Sequence, residues 1–222
     1  MSIKHILFDN DGTIVDSEII AARIMLKLLA RHGLHLEEGA YNMRFPGLLT
    51  RDVIKALQEE EGFKAPPDFS QQIQDEHNTG FHRSLRAVRG MPTLFRNLKV
   101  PKSMVSNGSI HHVEKCLRKV HLHRALDGFI FSAEQVDNPK PSPDIYLFAL
   151  EKLGLSPGET LVVEDSVTGV LAAKNAGIQT VGFLGAAHIH DGHGQKLWEA
   201  GADFVLPDAI SLAALLKKKG AF

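Results

Sequence analysis

The sequence predicts an α/β fold: a mainly parallel sheet core whose first strand is followed by an inserted helical segment. Three observations carry this. Short apolar runs recur along the chain with helical patterns between several of them, the alternation of a parallel α/β sheet. Several of these runs stop abruptly at acidic or hydroxyl residues, and in such sheets ligands bind at the carboxyl ends of the strands. The stretch from residue 17 to about 85 lacks β-rich runs altogether.

Residues 3–8 are apolar apart from Lys4 and His5 and end at Asp9, which reads as a short buried strand. Comparable runs cover 103–106, 129–132, 161–163, 180–183 and 204–206. Helical patterns fall at roughly 111–120, 143–153 and 167–176, with a further helix near 195–200. Ser142 is expected to cap a helix that has Pro143 at its first position and Asp144 in its first turn. Gly154 and Gly177 stand where helices would end. In the insertion, Ile20, Ile24, Leu28 and Leu29 keep helical spacing, as do Val53, Ile54 and Leu57, and Ala65-Pro66-Pro67 forms a loop. Linkers near 13–16 and 86–91 would bound it. Trp198 and Cys116 are expected to be packing residues.

The chain has 222 residues, enough for one large domain or one domain carrying a smaller insert. Hydrophobic residues make up 44% and charged residues 23%, the balance of a globular protein. A formal net charge of -1 gives no electrostatic case for a nucleic acid or an anionic membrane as partner. Any site must therefore carry its own local charge. Cys116 is the only cysteine, so no intrachain disulfide is possible, which suits a reducing cytoplasm. No apolar stretch approaches the ~20 residues of a membrane span, and the N-terminal run is too short for a signal peptide.

Phe8-Asp9-Asn10-Asp11-Gly12-Thr13 is the most informative segment. Two carboxylates two residues apart at a strand end can hold a hard cation such as Mg²⁺, and Gly12 lets the backbone turn and approach a ligand. A solvated acidic turn is the plain alternative. A calcium hand fails on spacing, because its glycine belongs where Ile14 stands. Asp9-x-Asp11-Gly12-Thr13 resembles the first signature of the haloacid dehalogenase-like hydrolase superfamily. Three further signatures resemble those of that family, in order: Met104-Val105-Ser106-Asn107-Gly108, then Lys140 in Asn138-Pro139-Lys140-Pro141-Ser142-Pro143-Asp144, then Leu161-Val162-Val163-Glu164-Asp165-Ser166 with Gly169. Taken singly, these fit a polar turn, a surface lysine and an acidic helix start.

The resemblance implies a Rossmann-like parallel-sheet core, residues 1–15 and 87–222, with an α-helical cap domain at 16–86. It implies a Mg²⁺-dependent phosphatase acting on a small phosphorylated metabolite. Asp9 would be the nucleophile and Asp11 the general acid and base. Mg²⁺ would be held by Asp9, the Asp11 backbone carbonyl and Asp165, with Glu164 as a direct or supporting ligand. Ser106, Asn107 and Lys140 would bind the phosphate. The insertion resembles the cap of the branch that includes β-phosphoglucomutase and sugar-phosphate phosphatases. The segment 45–51 resembles its specificity loop, where Arg51, or Arg44, could meet a second anionic group; His82, Arg83 and Arg86 lie near the second linker. No histidine stands in 16–23, where β-phosphoglucomutase has its hinge histidine, and this favours hydrolysis over mutase chemistry. A dehalogenase would leave Asp11 and the Glu164-Asp165 pair without a task. A non-catalytic binding protein would be signalled by a missing catalytic group, and none is missing. The runs 16–20 and 105–108 resemble those of bacterial 6-phosphogluconate phosphatases. A monomer is expected. The histidine-rich run 188–193 is read as a surface loop beside the cleft, open to adventitious transition-metal binding.

Overall fold

The computed structural model describes residues 3–45, 50–76 and 84–222. Six strands form one parallel sheet: β1 His5–Phe8, β2 Lys102–Ser106, β3 Ile130–Ser132, β4 Thr160–Glu164, β5 Gln179–Phe183 and β6 Phe204–Leu206, in the order β3-β2-β1-β4-β5-β6. Ten α-helices lie among the described residues. They are α1 Glu18–Arg31, α2 Glu38–Arg44, α3 Thr50–Glu61, α4 Phe69–Glu76, α5 Met91–Asn97, α6 Ile110–Lys119, α7 Asp144–Leu153, α8 Val167–Asn175, α9 His193–Glu199 and α10 Ala209–Lys218. The predicted parallel α/β sheet is borne out, and every predicted strand lies within two residues of an observed one. No helix among the described residues is long and apolar enough to cross a membrane.

The chain falls into two compact units, Met1–Asp16 with Leu85–Phe222, and Ser17–Ser84. In the first, β1 is buried on both faces. Leu7 packs with Val105, Phe131, Val162 and the helical residues Tyr146, Ala149 and Ala172. Phe8 points the other way, its ring centroid 5.3 Å from that of Phe95 in α5. A strand covered by helices on both faces reads as a continuous apolar run rather than an alternation. The connections leaving and re-entering this unit run side by side: Val15 bridges Ala87, Asp16 N–H donates to Arg86 O, and Val88 N–H donates to Ile14 O.

The second unit is helical. Ile20, Ile24, Leu28 and Leu29 of α1 are buried, as are Val53 and Leu57 of α3 and Phe69 and Ile73 of α4, so the apolar positions at helical spacing face inward. Lys27 and Arg31 of α1 both pair with Glu76 of α4.

Two local expectations are corrected. Helix α7 begins at Asp144 with Pro143 itself as N-cap, and the Ser142 hydroxyl donates to the Asp144 carboxylate instead of capping backbone. Proline already lacks an N–H, so the first turn needs less side-chain capping. Trp198 is 50% exposed and is not a core residue, whereas Cys116 is fully buried. Gly154 ends α7 at φ 64°, as its position suggested.

His5, in the central strand, is buried with Nε2 2.9 Å from Ser103 Oγ. Burial, with Lys102 nearby adding to it and Asp127 opposing, lowers its pKa from 6.5 to about 4. A proton therefore binds the unfolded chain more readily. This contribution is intact above pH 6.5 and is lost as pH falls toward 4. The loss reaches about 3 kcal/mol. In urea unfolding across this window, His5→Gln is expected to show a shallower acid decline than the wild type.

Candidate active site

The strand order reverses at β1, because the chain places β2 and β3 on one side and β4 to β6 on the other. Ligands bind such sheets outside the carboxyl ends of the strands at this switch point. Asp9 follows β1 directly and its N–H continues the ladder to Val163 O at 3.0 Å. Glu164 ends β4 and Asp165 follows it. The two acidic segments are thus brought together by strand pairing, Phe8 lying opposite Val163. One carboxylate oxygen from each of Asp9, Glu164 and Asp165 lies within 4.8 Å of the others, and all three residues are buried.

Lys140 is the counter-charge. Its Nζ donates to Asp9 Oδ1 at 2.8 Å, to Glu164 Oε1 at 2.7 Å and to Val105 O at 2.8 Å. Three donors meet three acceptors, which an ammonium can satisfy completely. Its loop is held by Asn107, whose Oδ1 accepts from Lys140 N–H at 2.9 Å and whose Nδ2 donates to Lys140 O at 3.2 Å. The Asn107 amide therefore helps to place Lys140. Burial works against the lysine charge, but Asp9 and Glu164 hold the ammonium well above its ordinary range. For Asp9, burial raises the carboxyl, Lys140 opposes, and Glu164, Asp165 and Asp11 raise it further.

Three buried carboxyl groups face one ammonium, so acidic groups outnumber the counter-charge by two. The donors are all carboxylate oxygens, the set a hard divalent cation prefers, so the residues present fit such an ion. Glu164 stands somewhat apart, because Lys140 occupies Oε1 while Oε2 accepts from Ser166 N–H and Ser166 Oγ, each at 2.9 Å. Ser166 also caps α8, accepting from Gly169 N–H at 3.0 Å.

Two glycines make room for the carboxylates. A Cβ on Gly12, which has φ +84°, would lie 2.0 Å from Asp165 Oδ2. A Cβ on Gly169 would lie 1.6 Å from Glu164 Oε1. Glu164 is bonded at both oxygens, so Gly169→Ala is expected to push it off Lys140. An active-site displacement near 1 Å costs about 100-fold in rate. That loss in kcat/KM, with a lower melting temperature because a buried ion pair is disturbed, is the result expected from steady-state assays and thermal melts.

Asp11 takes a different neighbour. Its Oδ1 lies 3.1 Å from His112 Nε2, on α6. The Asp11 hydrogen bond first, then Cys116, lift the His112 imidazole from 6.5 to about 10 against burial. Ser106, buried at the end of β2, accepts from Gly108 N–H at 3.0 Å. Asp165 is fixed from several sides. Thr13 Oγ1 donates to its Oδ1 at 3.1 Å, His188 Nε2 lies 3.3 Å from its Oδ2, and His193 Nε2 lies 2.6 Å from its carbonyl oxygen. Burial lowers the His193 pKa, and that hydrogen bond to Asp165 opposes the shift.

Asp9, Asp11, Ser106, Asn107, Lys140, Glu164 and Asp165 therefore all lie in the first unit around the ends of β1, β2 and β4. Sequence reasoning missed His112, the bond from Thr13 to Asp165 and the contacts of His188 and His193. The loop 188–193 is not simply a solvated surface, since His193 is buried against Asp165. The second unit holds the two arginines. Arg44 binds Glu60 and Glu61 and stacks 4.8 Å over the Phe45 ring. Arg51, at the start of α3, is exposed and 3.5 Å from Asp52. Residues 46–49 of the expected specificity loop, with His82 and Arg83, lie outside the described residues. Arg86 is exposed.

A family model described as haloacid dehalogenase-like hydrolase matches residues 6–183. The chain is 29% identical over 214 residues to a phosphorylated carbohydrates phosphatase of Thermotoga maritima, covering 94% of this chain and 96% of that protein. It is 25% identical to the 6-phosphogluconate phosphatase of Escherichia coli over 84% of this chain and 85% of that one. Its structure is similar to that of a HAD family hydrolase of Deinococcus radiodurans R1 with bound phosphate and sodium. The TM-score is 0.89 at 32% identity, covering 100% of this chain and 98% of the other.

Proposed function

The chain belongs to the haloacid dehalogenase-like hydrolase family, and from that membership we propose that it is a Mg²⁺-dependent phosphatase of small phosphorylated metabolites, working through an aspartyl-phosphate on Asp9. Sugar and sugar-acid phosphates are the proposed substrate class, 6-phosphogluconate among them, in line with the names of its relatives. One observation carries the reading. Asp9 and Asp11, two residues apart, have opposite surroundings: Asp9 is buried against Lys140 and two carboxylates, while Asp11 is part-exposed against His112. Lys140 offsets the charge of a nucleophile at Asp9, and the exposed side of Asp11 leaves it within reach of a leaving group and of water as acid and base.

In the proposed reaction, Asp9 attacks phosphorus with the oxygen not bound by Lys140, and the ester oxygen leaves with a proton from Asp11. Asp11 then takes a proton from a water that attacks the acyl phosphate, releasing phosphate and restoring Asp9. Lys140 stays on Asp9 and Glu164 throughout and offsets the charge that builds there. Ser106 and the backbone N–H groups that follow it are the proposed donors to the transferring phosphoryl oxygens. Asp9, Asp165 and the Asp11 carbonyl, with Glu164 in support, would hold a cation, which would supply the positive charge that lets an anionic ester approach a carboxylate. Residues 16–86 are proposed as the cap domain.

The test is phosphate release from a panel of phosphorylated metabolites with and without Mg²⁺. The panel includes 6-phosphogluconate, hexose and polyol phosphates, nucleotides and β-glucose 1-phosphate. Release that needs the cation and favours one sugar-phosphate class supports the reading. Conversion of β-glucose 1-phosphate to glucose 6-phosphate without release would replace it with a mutase.

A further inference from the structure

Helix α6 carries His112 and Cys116 four residues apart, on one face and one turn from each other. Cys116 Sγ lies 3.6 Å from His112 Nε2, and that nitrogen lies 3.1 Å from Asp11 Oδ1. The three donor atoms lie within 4.8 Å of one another. In a tetrahedral zinc site, bonds of about 2.0–2.3 Å put neighbouring donors roughly 3.3–3.7 Å apart. The spacing found here is close to that. Gly108 allows it, because a Cβ there would come within 3.1 Å of His112 Cδ2. The set also differs in kind from the carboxylate cluster. Oxygen, imidazole nitrogen and sulfur together favour a borderline cation such as Zn²⁺ over Mg²⁺.

We propose that Asp11, His112 and Cys116 form a second cation site, selective for Zn²⁺-like ions, which when filled withdraws the Asp11 side chain from catalysis. Binding expels the Cys116 thiol proton and the proton on His112 Nε2, so the cation replaces the proton that now joins histidine to carboxylate. The described residues supply three ligands, and since Asp11 and His112 are part-exposed, water would complete the set. The inhibitory consequence rests on the acid–base role proposed for Asp11; the site itself does not.

Cobalt(II) reads the site directly, because Cys116 is the only thiol in the chain. Titrating metal-free full-length protein with Co²⁺, without substrate, should give a thiolate-to-cobalt absorption band that saturates near one equivalent. Zn²⁺ should abolish it and Cys116→Ala should lack it. In the phosphatase assay with Mg²⁺ in excess, Cys116→Ala should keep basal activity and need about 10-fold or more Zn²⁺ for equal inhibition. No thiolate band in the folded wild type, or equal zinc sensitivity in the variant, would overturn the proposal. A band in a protein without phosphatase activity would instead count against the proposed function and leave the site standing.

Discussion

Replacing Asp9 with asparagine is expected to lower kcat by at least about 10⁴-fold, as loss of a covalent nucleophile does, while the protein folds normally. An amide cannot form the acyl phosphate. The fold should tolerate the change for an electrostatic reason. Burial, and then Glu164, Asp165 and Asp11, disfavour the ionised Asp9 carboxylate, with Lys140 opposing. A carboxyl whose pKa rises on folding costs stability at neutral pH. The metal-free Asp9→Asn protein is therefore expected to melt at the wild-type temperature or above it, with Lys140 still paired to Glu164. Differential scanning calorimetry and steady-state assays of a preparation free of wild type check both halves. Wild-type turnover would remove Asp9 from the mechanism.

Lys140→Met is expected to damage fold and activity together. Nζ meets Asp9, Glu164 and Val105 O, and it lies 5.3 Å from the Tyr146 ring centroid. Removing it leaves two buried carboxylates facing each other without a cation, and breaking a buried pair costs about 3–5 kcal/mol. For a chain of this size that is a fall of roughly 10 °C in melting temperature. Loss of one preorganised charge partner costs about 10²–10³ in kcat. Stability of the variant should also lean more heavily on added Mg²⁺, since the cation would then take over the charge compensation that Lys140 provided. Lys140→Arg is not expected to rescue it, because a planar guanidinium cannot reproduce three converging bonds from one atom. A variant that melts as the wild type does would mean that the Lys140 ammonium is not what holds these carboxylates.

The parts of this molecule that were legible in the sequence are those set by local pattern. The run that ends at Asp9 and the run that ends at Glu164 are both buried strands, and their pairing brings the acids together. The spacing of Ile20, Ile24, Leu28 and Leu29 announced α1 because a helix repeats on itself. What stayed hidden depends on packing between distant segments. His112 reaches Asp11 across 101 positions, and His193 reaches Asp165 across 28. A signal for His112 did exist: Ser109 caps α6 three residues after Ser106, so the first turn of that helix starts at the same sheet edge. Gly169 entered the sequence reading only by resemblance, as part of the fourth signature, and the position of Glu164 Oε1 supplies the physical reason for it. Trp198 sat on a plausible helix, yet apolar residue type alone does not decide which face meets the core.

The central claim is that phosphate passes through Asp9, and the most direct measurement is a borohydride quench during turnover followed by peptide mass spectrometry. Borohydride reduces an acyl phosphate to the alcohol, which converts the trapped aspartyl-phosphate to homoserine. The account predicts homoserine at position 9, present only with both Mg²⁺ and a hydrolysed substrate, and absent from Asp9→Asn. Homoserine at Asp11, Glu164 or Asp165, or none at position 9 while phosphate is being released, would contradict it.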